Sequence, residues 1–228
     1  MYNFTFNIPT KIHFGKDTIS NLSELKAYGS KVLLVYGGGS IKKNGLYDTA
    51  MKILKDAGLT VFELSGVEPN PKIETVRKGV EICKNEGIDM VLAIGGGSTI
   101  DCSKVVAAGA KYDGDAWDLV LDGSKVKAAL PIFDVLTLSA TGTEMDPFAV
   151  ISDMSKNEKW GTGSPYMVPT MSILNPEYTF SVSKKQTAAG TADMMSHTME
   201  NYFSMENADC KKFMAEGLLR TMIKNGPA

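Results

Sequence analysis

Asp193 and His197 are two residues whose types and spacing could hold a metal ion. They stand four positions apart in "ADMMSHT" (192–198), so on a helix their side chains face the same side and can bind one cation. Two donors do not complete a catalytic site, which generally takes about three or more protein ligands, and the sequence has only one other histidine, His13. From the residues alone, a structural acid–histidine pair is the better explanation, and a metal site is the alternative.

A glycine-rich segment, "GGGSTIDCSK" (95–104), could bind a phosphate. It follows an apolar run and opens a predicted helix, where glycines allow close backbone approach and free N–H groups favour negative charge. The segment lacks the GxGxxG pattern of standard dinucleotide-binding folds. Taken alone, it is also explained by a turn between strand and helix that binds nothing.

Two further loops carry residues suited to a nucleotide. The first, "YGGGSIKKNG" (36–45), has no acid that would bind a ribose 2′-hydroxyl and repel a 2′-phosphate, and it carries Lys42 and Lys43. NADP is therefore permitted, although solvated lysines in a plain turn would give the same pattern. The second loop, "TLSATGTEMD" (137–146), presents the hydroxyls of Thr137, Ser139, Thr141 and Thr143. Such hydroxyls suit phosphates or a nicotinamide amide, but Ser/Thr loops are common.

The elements that must position these loops alternate between strands and helices. Apolar runs predict strands in 31–40, 60–66, 90–97 and 131–144, with helices around 46–57, over 73–87 and from about Ser98. This alternation predicts right-handed crossovers and a parallel sheet. Two more strands are predicted in "AVISDM" and "TMSILN", joined by the polar turn "KWGTGS", and "YNFTFNIPTKIHFG" predicts a hairpin-like start of two short strands.

The sequence changes character at Lys184, where the β-branched runs end and helical spacing begins. We therefore predict a nucleotide-binding α/β domain over 1–180 and the first helices of an incomplete helical domain over 181–228. About 45 residues rarely bury enough apolar surface to fold alone.

The composition narrows the class of protein. The chain has a net charge of −2 with 22% charged residues, which gives no bias toward nucleic acid or an anionic membrane. Cys83, Cys102 and Cys210 lack the spacing of a disulfide framework or a thiolate zinc site. No apolar run reaches about 18 residues, and no signal-peptide pattern opens the chain. We expect a cytoplasmic protein without nucleic-acid or membrane partners.

The order of motifs along the chain resembles the iron-containing (group III) alcohol dehydrogenases and, within them, the NAD(P)H-dependent butanol dehydrogenases. The motifs are "PTKIHFG", "VYGGGSIKKNG", "PNP", "GGGSTIDCSK", "ATGTE", "ILNP" and "TAAGTADMMSHTMENYF". No single motif is specific, but their joint order and spacing is, and it covers essentially all 228 residues.

The resemblance implies a dehydroquinate-synthase-like fold, in which an α/β domain with a parallel sheet precedes an all-helical domain, here truncated, and the active site lies in the cleft between them. The cofactor it implies is NADP or NAD. The residues implied to line this cofactor are Gly38, Gly39 and Ser40 at the adenosine ribose, Gly95, Gly96, Gly97, Ser98 and Asp101 at the pyrophosphate and neighbouring ribose, and Thr137, Ser139, Thr143 and Lys159 along it.

The resemblance also implies that Asp193 and His197 are the first two ligands of Fe²⁺, with Zn²⁺ as the other candidate. The ion would act on the oxygen of a primary alcohol such as butanol, or of its aldehyde, while hydride passes to or from the nicotinamide. In full-length relatives, which are implied to be homodimers, the other two ligands are histidines further along the chain. We therefore expect a dehydrogenase by ancestry with little turnover from these 228 residues; the alternative is a catalytically silent nucleotide-binding remnant.

Overall fold

The computed structural model describes residues 3, 5, 7–204 and 208–226. Strands β1 to β8 span Lys11–Phe14, Lys31–Tyr36, Thr60–Leu64, Met90–Gly95, Ile132–Leu136, Phe148–Asp153, Glu158–Gly163 and Met171–Leu174. Helices α1 to α7 span Ser40–Lys43, Leu46–Asp56, Ile73–Glu86, Gly97–Gly109, Ala116–Leu121, Lys184–Tyr202 and Asp209–Asn225. Segments of 3₁₀ helix span Thr18–Tyr28, Gly123–Lys125, Pro165–Met167 and Pro176–Thr179.

The main sheet is parallel, as the alternation of strands and helices predicted. Within the described residues it has six strands in the order β1-β8-β5-β4-β2-β3. From β2 the chain moves outward to β3 and then returns across the sheet to β4, which pairs with the opposite side of β2. The carboxyl ends of the strands meet at one edge, so this reversal of direction opens a crevice between the ends of β2 and β4.

Alternation along the central strands divides the core into two layers. Leu33 and Val35 of β2 face α3 and α4, whereas Val32 and Leu34 face α2 and the first 3₁₀ segment. Because both faces of β2 are covered, its sequence is a continuous apolar run rather than an alternating one. The helix α3 meets the sheet through residues at helical spacing, Ile73, Val76, Val80 and Cys83.

The strands predicted over 149–175 are placed differently. "KWGTGS", predicted as a turn, lies mostly in β7, which pairs antiparallel with β6 in a separate two-stranded hairpin. "TMSILN" contains β8, which inserts between β1 and β5 of the main sheet. Both predicted strands are therefore confirmed, as β6 and β8, and the prediction of a polar turn at "KWGTGS" was wrong. The hairpin packs instead against α4 and α5.

The second strand of the hairpin-like start is confirmed as β1, whereas a hairpin partner for it is not among the described strands. β1 pairs in parallel with β8, with Lys11 opposite Met171 and Phe14 opposite Leu174. Residues 2, 4 and 6, which belong to the predicted first strand, lie outside the described residues.

Helices α6 and α7 pack on each other, and the Tyr202 hydroxyl donates to Glu216 Oε1 at 3.3 Å. The helix α6 begins after Ser183, whose Oγ accepts from the N–H of Gln186. Among the described residues of these two helices, only Ala215 is buried. The prediction that an incomplete helical domain starts at 181 stays a prediction.

The three cysteines are free thiols: Cys83 and Cys102 are buried, and Cys210 is exposed. Burial raises the pKa of Cys83 to about 12, so this thiol is not a nucleophile at neutral pH. Over the part of the chain that the structure describes, no helix combines the length and apolarity needed to cross a membrane. The cytoplasmic location stays a prediction.

Candidate nucleotide site and metal-ligand pair

The start of α4 lies at the crevice between β2 and β4. β4 ends at Gly95, and Gly96 then adopts an extended conformation with φ −88° and ψ −172° before the helix begins at Gly97. In the described structure no side chain caps this helix. The first N–H groups of the helix and the positive end of its dipole are therefore available to a phosphate.

Gly97 faces the loop that follows β5. A Cβ at position 97 would lie 3.3 Å from Thr141 Oγ1 and 3.6 Å from Thr143 Cγ2, and one at Gly96 would lie 3.1 Å from Leu138 Cβ. The loop therefore forms a wall beside the start of α4 and brings threonine hydroxyls next to it. Thr137 continues the strand pairing, since its N–H donates to the Gly95 carbonyl at 2.9 Å.

Lys159 is brought to the start of α4 through Asn70. Lys159 Nζ donates to Asn70 Oδ1 at 2.8 Å, and the N–H of Asn70 donates to Ser98 Oγ at 3.3 Å. Asn70 has φ 56°, in the left-handed region that Asn tolerates better than most residues. This chain of contacts places a positive charge beside the helix start. Asn70 was missed as a functional residue, although "PNP" was among the motifs.

Asp101 and Thr143 bind each other. Thr143 Oγ1 donates to Asp101 Oδ1 at 2.6 Å, while Asp101 Oδ2 accepts from the N–H of Val150 at 3.0 Å. Burial raises the pKa of Asp101, and the hydrogen bond from Thr143 opposes that shift. Both side chains thus hold the loop and the hairpin to α4, whereas the family resemblance implied that they lie at the cofactor; a cofactor contact stays a prediction.

Lys104, which the sequence reasoning missed, fixes the other end of this loop. Its side chain is fully buried, and Nζ donates to Thr143 Oγ1 at 2.8 Å, to Asp146 Oδ1 at 2.9 Å and to the Phe148 carbonyl at 2.8 Å. Burial lowers the pKa of Lys104, and the hydrogen bond from its ammonium to Asp146 opposes this. A buried ammonium with these acceptors stabilises one loop conformation.

A buried acid supports the middle of the loop. Ser172 Oγ lies 2.6 Å from Asp134 Oδ2 and 2.8 Å from the carbonyl oxygen of Glu144. Burial raises the pKa of Asp134 well above its ordinary value. The serine has one hydrogen, which it can donate to Asp134 Oδ2 or to the Glu144 carbonyl; when Asp134 is protonated, the acid can donate to Ser172 while Ser172 donates to Glu144.

The loop after β2 is open. A Cβ at Gly38 or Gly39 would meet no atom of the described residues within 4 Å, and Gly39 has φ 97° before α1 begins at Ser40. The segment after β3 lies against the end of β2, since the Val67 N–H donates to the Tyr36 carbonyl at 3.2 Å. Gly38, Gly39 and Ser40 therefore lie on one side of the crevice and residues 95–98 on the other.

A cavity of about 180 Å³ lies at the carboxyl ends of β1, β5 and β8. Its lining is mostly apolar, with Leu136 and Leu174, and Ser139 and Glu144 add polar groups. The helix α6 passes close by, because a Cβ at Gly190 would lie 3.6 Å from the Ser139 carbonyl. The helix that carries Asp193 and His197 thus meets the loop after β5, which also borders the start of α4.

Asp193 and His197 lie on α6 as the spacing predicted. His197 Nε2 is 3.7 Å from Asp193 Oδ1, and their side chains are 51% and 47% exposed. A carboxylate and an imidazole are suitable donors for iron or zinc. Among the described residues, however, no group of three or more His, Cys, Asp or Glu side chains is arranged to hold a metal. The described part of the chain therefore offers two donors of the right chemistry and not a complete site.

Comparison with known proteins assigns the chain to one enzyme family. The family model for iron-containing alcohol dehydrogenase matches residues 9–176. The chain belongs to this family. It is 60% identical over 228 residues to NADH-dependent butanol dehydrogenase A of Clostridium acetobutylicum, a match that covers 99% of this chain and 59% of that protein.

Solved structures and a more distant relative agree with the assignment. The crystal structure of NADH-dependent butanol dehydrogenase A from Thermotoga maritima superimposes with a TM-score of 0.96 at 47% identity, covering 100% of this chain and 57% of that one. The NADPH-dependent aldehyde reductase YqhD of Escherichia coli is 39% identical, with 100% of this chain and 59% of the reductase covered. The chain thus spans a little under three fifths of these relatives.

The resemblance to the iron-containing alcohol dehydrogenases is confirmed, as is the α/β fold that it implied. This chain is a member of an enzyme family. The roles assigned to Gly38, Ser98, Lys159 and the other cofactor residues, and to Asp193 and His197, stay predictions.

Proposed function

We propose that the chain binds NAD or NADP across the crevice between β2 and β4. The pyrophosphate lies at the uncapped start of α4 and accepts hydrogen bonds from the N–H groups of Gly97 and Ser98. Lys159 adds positive charge on one side. The adenosine ribose lies at Gly38, Gly39 and Ser40, and the nicotinamide end extends along Ser139.

One observation carries this proposal: the uncapped glycine turn of α4 lies at the switch point of a parallel sheet, where Asn70 holds a lysine beside it. Ligands of open α/β sheets bind at this place. Relatives named as NADH-dependent and NADPH-dependent enzymes support a nicotinamide nucleotide.

In the complete protein we propose hydride transfer between this nucleotide and a primary alcohol such as butanol, or its aldehyde. Asp193 and His197 would supply two ligands of an iron ion, or of zinc, whose chemistry when bound is to polarise the substrate oxygen. The chain's own residues bind the nucleotide, orient it through the loop after β5 and bring α6 next to that loop. Relatives named as butanol dehydrogenases support the choice of substrate.

A second function, a nucleotide-binding protein without catalysis, is favoured by the absence of a third metal donor among the described residues. The two alternatives share the nucleotide site and differ in turnover. For these 228 residues we expect nucleotide binding with little turnover.

Binding is tested by titrating the purified chain with NADH and NADPH and following the fluorescence of the reduced nicotinamide. Lys159→Met should raise the Kd of both nucleotides roughly tenfold, since it removes one charge-assisted contact to phosphate. Lys156→Met is the matched control, because Lys156 lies in the turn of the same hairpin and pairs with Asp153 instead. Absence of binding of either nucleotide to the unaltered chain would refute the site.

Catalysis is tested by butyraldehyde-dependent oxidation of NADH or NADPH with added Fe²⁺ or Zn²⁺. Metal-dependent turnover that disappears in His197→Ala would establish the dehydrogenase in this chain and contradict our expectation of little turnover. Nucleotide binding without turnover would leave the non-catalytic binding protein as the description of these residues.

A further inference from the structure

Glu63 anchors a polar cluster at the end of β2, next to the glycine loop. Its Oε2 accepts from the Tyr36 hydroxyl at 2.6 Å, and its Oε1 accepts from the Tyr47 hydroxyl at 2.8 Å. The hydrogen bond from Tyr36, with that from Tyr47, lowers the pKa of Glu63. The carboxylate is therefore charged at neutral pH, and each of its oxygens has a tyrosine partner.

Lys42 holds its ammonium within the same cluster. Nζ lies 5.0 Å from the centroid of the Tyr36 ring, 4.4 Å from that of Tyr47 and 3.9 Å from Glu63 Oε2. The two rings pack edge to face at 5.8 Å, and aromatic faces attract cations. The side chain of Lys42 is 48% exposed, so its ammonium can also reach a ligand from this position.

The cluster lies next to the position proposed for the adenosine ribose of the nucleotide. Tyr36 is the last residue of β2, and the open glycine loop follows it directly. With the pyrophosphate at the end of β4, the neighbouring strand β2 ends at the ribose, where a free acid would bind the 2′-hydroxyl and exclude a 2′-phosphate. Here the nearby acid is occupied by two tyrosines, and a cation stands beside it.

We propose that Lys42 binds the 2′-phosphate of NADPH and that Glu63 is a positioning residue that limits this preference, so that the chain accepts both nucleotides. The inference rests on the proposed nucleotide site. With NADPH, the ammonium turns from the tyrosine rings to the phosphate and gives up part of its attraction to Glu63. With NADH, it remains in the cluster. Competition between one carboxylate and one phosphate for the same cation thus sets the ratio of affinities.

The test is the ratio of Kd values for NADH and NADPH in a set of variants. Glu63→Gln keeps an acceptor for the tyrosine hydroxyls and removes the charge, so the affinity for NADPH relative to NADH should rise roughly tenfold, a gain that high salt reduces. Lys42→Met should lower the same ratio by a similar factor without changing the Kd of NADH. Lys43→Met, in the same short helix and outside the cluster, is the control and should leave the ratio unchanged.

The double variant decides whether Glu63 acts through Lys42. Lys42→Met with Glu63→Gln should give the ratio of Lys42→Met alone, and a gain that persists in the double variant would overturn the inference. So would an unchanged ratio in both single variants while both nucleotides still bind. Since Lys42 is half exposed, its variant remains informative if Glu63→Gln unfolds. Failure of the unaltered chain to bind either nucleotide would instead refute the proposed function itself.

Discussion

Thr143 Oγ1 donates to Asp101 Oδ1 at 2.6 Å and accepts from Lys104 Nζ at 2.8 Å. One hydroxyl thus joins two residues of α4, one acidic and one basic, to the loop that follows β5. Lys104 and Thr143 are buried and Asp101 is partly buried, so these hydrogen bonds contribute more to stability here than they would on the surface. The position of the loop beside the α4 start depends on this junction.

Thr143→Val should destabilise the chain by about 1 to 3 kcal/mol, because it leaves the partly buried Asp101 and the buried ammonium of Lys104 each without one partner. Urea unfolding followed by circular dichroism measures this loss. Thr141→Val is the matched control, since Thr141 is exposed in the same loop and should change the free energy of unfolding little. Equal effects of the two substitutions would show that the junction contributes nothing particular.

Gly97→Ala should weaken nucleotide binding roughly tenfold while leaving the free energy of unfolding nearly unchanged. The new methyl group would stand 3.3 Å from Thr141 Oγ1, an exposed side chain that can move aside, but it would occupy the approach to the helix N–H groups. Gly217→Ala is the control. A Cβ at this position in α7 would meet no atom of the described part of the chain within 4 Å, so the alanine should stabilise the helix by about 1 kcal/mol and leave binding unaltered. Full nucleotide affinity in Gly97→Ala would place the pyrophosphate elsewhere.

Asp134 should make the stability depend on pH. Burial raises its pKa in the folded state above the ordinary value of 3.8, so the folded chain keeps a proton that the unfolded chain releases. Its contribution is therefore fully present below pH 3.8 and is lost as the pH rises toward the folded-state pKa. In that window the parent should lose up to about 1.4 kcal/mol per pH unit relative to Asp134→Asn.

This comparison is made by urea unfolding of parent and variant at several pH values from 4 to 8. Asp113→Asn, an exposed aspartate in a loop, serves as the control and should follow the parent. A pH-independent difference between the parent and Asp134→Asn would mean that Asp134 has the same protonation state in the folded and unfolded chain.

Local patterns sufficed for the centre of the sheet and for the turn into α4. β2 and β4 are continuous apolar runs followed by glycines; both strands begin at the predicted first residue, and α4 begins one residue before the predicted Ser98, whereas β2 ends at Tyr36, four residues before the predicted end. These signals are local because a strand buried on both faces has to be apolar throughout, and a tight approach of backbone to ligand needs glycine.

The remaining features depend on partners distant in sequence. "KWGTGS" carries no alternation that marks a strand, and β7 forms because β6 pairs with it and Thr162 Oγ1 donates to the buried Leu119 carbonyl at 2.6 Å. The sequence around Lys104 does not distinguish it from a lysine on the surface of a helix. It is buried because the loop after β5 packs over it. Asp134 is the residue of these whose sequence context is unusual, because it is an acid inside an apolar strand. Its partner, Ser172, lies on β8.

The helices α6 and α7 should make the chain associate through their apolar side chains. Phe203, Phe213, Met214, Leu218 and Ile223 are all more than half exposed, and Met214 and Leu218 lie on one side of α7. Clusters of exposed apolar side chains promote self-association or dye binding. In sedimentation velocity we expect species larger than a monomer that grow with concentration, together with binding of an apolar fluorescent dye. Replacing Phe213 and Leu218 by Ser should reduce both signals. Tyr166→Ser is the control and should not, because it removes an exposed ring that belongs to neither helix. A monodisperse monomer that binds no dye would show that these side chains are covered in solution.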